Sequence, residues 1–105
     1  MSKFKFELQN VLEIRNFEQQ QAEGELAKCI AVETEINKNL EVIAMQYAAL
    51  KQQMKGSLDF SDMMSQSQYS KLLDYQKEQL LTQLAQAKIE TEEKRKILTE
   101  CMKKT

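Results

Sequence analysis

From Leu8 onward, seam positions recur at alternating intervals of four and three residues: Leu8, Leu12, Arg15, Gln19, Ala22, Leu26, Cys29, Glu33, Ile36, Leu40, Ile43, Tyr47, Leu50 and Met54. That run covers nearly seven heptads, well past the three or four that identify a coiled coil. Every such position from Ile36 to Met54 is apolar, whereas Arg15 and Gln19 weaken the line toward the N-terminus. Val11, Ile14 and Phe17 form a second apolar stripe beside the weak part. The pattern predicts a first helix over about 6–55, with Phe4 and Phe6 alternating with lysines just ahead of it. Gly24 lies inside this helix but off the seam, where it costs roughly 1 kcal/mol against alanine.

The segment Lys51 to Ser70 is the only long interruption, and it predicts a turn over about 56–64. Gly56 is placed to end the first helix with a positive φ, which glycine adopts most easily. Ser61 or Asp62 is the expected N-cap of the second helix. Leu58, Phe60, Met63 and Met64 make the turn more apolar than a solvated loop needs, so they are expected to cap the end of the coiled coil; methionines also suit adaptable binding surfaces. The second helix is predicted over about 65–104, with a seam of Tyr69, Leu73, Gln76, Leu80, Leu84, Ala87, Thr91, Lys94, Leu98 and Cys101. One step of four and four, through Gln76, Leu80 and Leu84, is expected to relax the supercoil locally.

If the arms fold back around a turn near position 60, facing residues have numbers summing to about 120. Leu50 then meets Tyr69, Tyr47 meets Leu73, Leu40 meets Leu80, Ile36 meets Leu84 and Ala22 meets Leu98. Apolar meets apolar, an agreement that neither arm's own pattern requires. The predicted fold is all-α, a two-helix antiparallel coiled-coil hairpin forming a single domain over 1–105. About ten residues at the N-terminus are left with nothing opposite them, an overhang of roughly 15 Å.

Composition narrows the chemistry. The chain has no proline, two glycines and no tryptophan, and 30% of it is charged, as in long helices. A net charge of −1 argues against nucleic acid as the main partner. No apolar run approaches the roughly 20 residues that span a bilayer, and the start lacks the apolar core of a secretory signal, so a cytoplasmic location without membrane insertion is expected. Cys29 and Cys101 match neither a disulfide scaffold nor a zinc spacing and are expected to be small seam residues. With no histidine, no phosphate loop and no pocket, no residue is a catalytic candidate, and neither a cofactor nor a metal is expected. Folding gathers Lys3, Lys5, Arg15, Lys94, Arg95, Lys96, Lys103 and Lys104 at one end, diluted by Glu7, Glu13 and Glu100, which makes a mildly basic end.

The opening Phe4 to Ala22, FKFELQNVLEIRNFEQQQA, resembles the N-terminus of the flagellar export protein FliJ family. Phe4, Phe6, Leu8, Val11, Leu12 and Arg15 occupy that family's F-x-F-x-L-x-x-V-L-x-x-R pattern, and Gln68 to Leu80 is similar to the segment that opens its second helix. The family's second helices usually run longer than this one. The resemblance implies a soluble component of the flagellar type III export apparatus, a stalk-like coiled coil at the cytoplasmic side of the inner membrane at the flagellar base. Its implied partners are the export ATPase hexamer, whose assembly it promotes, the cytoplasmic domain of the export gate protein FlhA, and substrate chaperones. By position, Phe4, Phe6, Leu8, Val11, Leu12 and Arg15 would contact the ATPase, and Tyr47, Leu50, Tyr69, Leu72 and Leu73 the gate. Two other readings stay open: a coiled-coil spacer that dimerises through the same seam, and a hairpin chaperone that binds clients through Phe60, Met63 and Met64.

Overall fold

The computed structural model describes residues 2–56 and 59–103, and only the backbone of Ser2, Lys3, Phe4 and Phe6. It consists of α1, Ser2–Gln53, and α2, Phe60–Lys103, with no strand among the described residues. Residues that lose little rotamer freedom in a helix (Glu, Gln, Lys, Leu, Ala) dominate both elements, and nothing between the ends breaks them. Helices in proteins draw most of their stability from packing an apolar face rather than from propensity, so the packed seam is what holds these two. The sequence-predicted two-helix antiparallel hairpin is the observed fold.

Both ends of the turn differ from expectation. The Met54 amide still donates to Leu50 O at 3.0 Å, but Lys55 donates to Gln52 O at 3.2 Å and Gly56 to Gln53 O at 3.4 Å. The last turn therefore tightens to three-residue hydrogen bonds, which satisfies terminal carbonyls without a left-handed residue. Gly56 does not have a positive φ. At the start of α2 neither Ser61 nor Asp62 is the cap. Asp59 is, its Oδ1 accepting from the Asp62 amide at 2.8 Å while its carbonyl accepts from Met63 at 3.1 Å. That moves the helix start to Phe60, ahead of the expected 65. Ser57 and Leu58 lie outside the described residues.

The chain divides into two units, each built from one stretch of each helix. In the unit Glu33–Gln86, Ile43, Leu50 and Leu73 form a buried cluster, with Tyr47 and Leu80 packed against it. Leu73 is 1% exposed, the best-buried large side chain among those described. Ile36 is buried and Leu40 and Leu84 are half-buried, all at expected positions. The first half of the α2 seam departs from its predicted line. Tyr69 and Gln76 are exposed, and the half-buried positions are Gln66 and Ser70. Continuing the four-three rhythm from Gln66 through Ser70 and Leu73 puts Lys77 in the next seam position, and Lys77 does border a shallow cleft with Leu40, Ile43 and Tyr47. Lys77 is itself exposed, and Gln76 borders a neighbouring cleft with Ile43 and Leu80, so what burial changes in the seam is Ser70 for Tyr69. Across this unit the Tyr47 hydroxyl donates to Asp74 Oδ1, a bond between residues at the expected common level.

The other unit joins Met1–Val32 to Ala87–Thr105. Ala22, Ala87 and Thr91 are buried, and Gln19, Leu26, Cys29, Lys94, Leu98 and Cys101 are half-buried, each at its predicted seam position. Both cysteines are free thiols. Every residue from Glu7 to Glu18 is exposed, in line with the overhang.

Candidate functional site

Exposed apolar groups on two helical surfaces are the candidates. Among the described residues no cluster of acids and cysteines could hold a metal, and no helix is long and apolar enough to cross a membrane.

The first surface is the uncovered start of α1. Leu8 is 53% exposed and Phe17 60%, with Val11, Leu12 and Ile14 between them also exposed. Leu8, Leu12 and Arg15 continue the seam line, and Val11 lies beside it. Here the line has no α2 residue opposite it among those described, so these side chains face water. Ile14 and Phe17 wind the apolar surface round the helix to an adjoining face. Phe4 and Phe6 belong to this sequence-predicted set, but their side chains lie outside the described residues, as do those of Lys3 and Lys104. Lys5, Arg15 and Lys96 are exposed and Lys94 half-buried, whereas Arg95 is tied to Glu92 at 3.4 Å. The acids Glu7, Glu13 and Glu100 are exposed beside them.

The second surface is one side of the unit Glu33–Gln86. The sequence-predicted residues here divide sharply by depth. Leu50 and Leu73 are core, Tyr47 is half-buried, and Tyr69 and Leu72 are exposed. A shallow cleft runs beside them between Asn39, Val42 and Gln46 of α1 and Tyr75, Gln76 and Gln79 of α2, floored by Ile43 and Leu80. On this side the heptad positions flanking the seam carry no charge from Asn39 to Gln53 on α1 (Asn39, Val42, Gln46, Ala49 and Gln53) or from Tyr69 to Gln83 on α2 (Tyr69, Leu72, Gln76, Gln79 and Gln83), and Glu35 is the charged member of the series at its far end. The unit's other charges, Glu41, Lys51, Lys71, Asp74 and Glu78 among them, occupy other positions. Sequence reasoning passed over Val42, Tyr75 and the amide row. The signal that finds Val42 and the amides is the absence of charge at one pair of heptad positions, which a search for apolar spacing does not test; Tyr75 lies one position outside that pair.

The fold changes the acidity of Tyr47. Its hydrogen bond to Asp74, then desolvation, then the negative charges of Asp74 and Glu78 push the phenol up to about 12. It is a clasp between helices and is not poised for proton transfer at neutral pH. At the turn, Phe60, Met63 and Met64 are all exposed, so they do not close off the coiled-coil end as the sequence led one to expect.

Compared with known protein families, residues 4–105 match the sequence model of one family, described as flagellar FliJ protein. No curated protein and no solved structure matches the chain.

Proposed function

The chain belongs to the FliJ family of flagellar proteins, and on that premise we propose that it acts in flagellar protein export as a stalk that docks its open end into the ring of the export ATPase and promotes the ring's assembly and activity. The observation that carries this reading is the uncovered apolar stripe from Leu8 to Phe17 on a helix whose remaining length is paired. A paired helix is already ordered, so docking an exposed stripe of it costs little conformational entropy. The uncharged side at Tyr69, Leu72, Tyr75 and Val42 is then the surface for the cytoplasmic domain of the export gate protein FlhA. Leu50 and Leu73 support that surface from beneath, and Tyr47 holds the two helices in register under it. Substrate chaperones complete the set of partners, and the working location is the cytoplasmic face of the inner membrane at the flagellar base. No step of this role makes or breaks a covalent bond.

The test is ATP hydrolysis by the same organism's export ATPase, at a concentration where it is mostly monomeric, with increasing amounts of this protein. A saturable rise in rate is the expected result. A flat response, with an ATPase shown to form hexamers under the same conditions, would overturn the stalk reading.

A further inference from the structure

The two units differ in how many large apolar pairs their seams contain. Around the level set by Tyr47 and Asp74, the register of the unit Glu33–Gln86 puts three pairs of large apolar residues at a common layer, Ile36 with Leu84, Leu40 with Leu80, and Tyr47 with Leu73, and between and beyond them sets Ile43 level with Lys77, Leu50 with Ser70 and Met54 with Gln66. The same register gives the other unit four layers: Gln19 with Cys101, Ala22 with Leu98, Leu26 with Lys94, and Cys29 with Thr91. None of these contains two large apolar side chains. Polar groups stand in three of the four, and polar seam residues lower stability while preserving register. The Thr91 hydroxyl donates to Ala87 O of its own helix at 2.9 Å, and the ion pairs Glu25–Lys28 and Glu92–Arg95 each lie within one helix, so these bonds do not tie α1 to α2. Apolar area removed from water is what holds two helices together, and here there is little of it.

We propose that this seam is a detachable clasp: the α2 stretch 87–103 leaves α1 in one cooperative step while the unit Glu33–Gln86 stays paired. Opening uncovers Ala22, Leu26 and Cys29, which lie on the same heptad line as the already exposed Leu8 and Leu12. The free end of α1 thereby lengthens its apolar face by about three layers, at about one layer per half-heptad. Elements of low local stability open sub-globally in this way, well below the free energy of complete unfolding. The clasp follows from the seam's composition and holds whether or not the ATPase reading does.

Native-state hydrogen exchange on the full chain, over a series of low urea concentrations, tests it. Amides at 20–31 and 88–100 are expected to share one opening with weak urea dependence, about 100-fold more frequent than that of amides at 38–49 and 72–83. Reaction of the Cys29 thiol with a disulfide reagent reads the same opening. The variant Thr91→Leu with Lys94→Leu fills two layers with apolar side chains, and is expected to slow both signals at least about tenfold while leaving 38–49 unchanged. One opening common to both units, or protection that rises smoothly from the helix ends, would overturn the proposal. So would a filled variant that exchanges and reacts like the parent.

Discussion

A Cβ built on Gly24 meets no atom within 4 Å, and the residue sits on an exposed helix face with an ordinary φ. Nothing about the site calls for glycine. Gly24→Ala is therefore expected to stabilise its unit by about 0.5–1 kcal/mol, read as slower amide exchange at 20–31. Asp59 is the opposite case, because its carboxylate satisfies the third amide of α2. Asp59→Ala is expected to cost about 1 kcal/mol in urea denaturation followed by circular dichroism, with Ser61→Ala as a near-neutral control. Tyr47 gives a pH dependence whose sign follows from its bond to Asp74. Folding holds the proton on the phenol, so the stabilisation is complete below the unfolded value of about 10 and is lost as pH rises from there to about 12. In a phenolate absorbance titration, Asp74→Asn is expected to bring the late-titrating component down toward 10; an unchanged curve would mean that the hydrogen bond does not set it.

On α1, every seam position from Gln19 to Leu50 was legible as a heptad, because large or small apolar groups mark all but two of them. On α2, the stretch before Leu80 was not. The half-buried positions there are Gln66 and Ser70, while Tyr69 is exposed, so a search for apolar spacing drifts onto the aromatic. Continuing the rhythm through Ser70 and Leu73 assigns the next position to Lys77, which is exposed beside Leu40, Ile43 and Tyr47, where a lysine stem can cover apolar surface while its ammonium reaches water. This assignment has a direct consequence. Lys77→Leu, set against Ile43, is expected to raise stability by about 1 kcal/mol, whereas Gln76→Leu on the cleft's edge changes it by less than about 0.5 kcal/mol, both read from urea midpoints. The reverse order would favour the four-four step. The helix ends were less legible than the seam, since the tightened last turn of α1 and the Asp59 cap depend on hydrogen bonds with alternatives one or two residues away.

For the whole molecule, the fold was readable because one rhythm runs the length of both arms and the two rhythms agree in register. The candidate surfaces were only half readable, since exposure decides them and spacing does not report it: Leu50 and Leu73 are as apolar as Leu72, but only Leu72 faces solvent. That distinction matters most at the open end, where the stripe is either a docking surface or part of the structure. Val11 and Ile14 are 43% and 58% exposed, so replacing them removes little buried area. Val11→Asp with Ile14→Asp is expected to leave helicity and melting nearly unchanged, apart from a few tenths of a kcal/mol per site in helix propensity. Binding to the export ATPase, and the rise in its rate, are expected to disappear, because two carboxylates would be desolvated without partners at the contact. Ile97→Asp makes the same chemical change at another exposed position of the same unit and should keep both activities. If the double variant stimulates the ATPase normally, the stripe is not the contact; if Ile97→Asp abolishes stimulation as well, the loss reports charge on the unit rather than a defined surface.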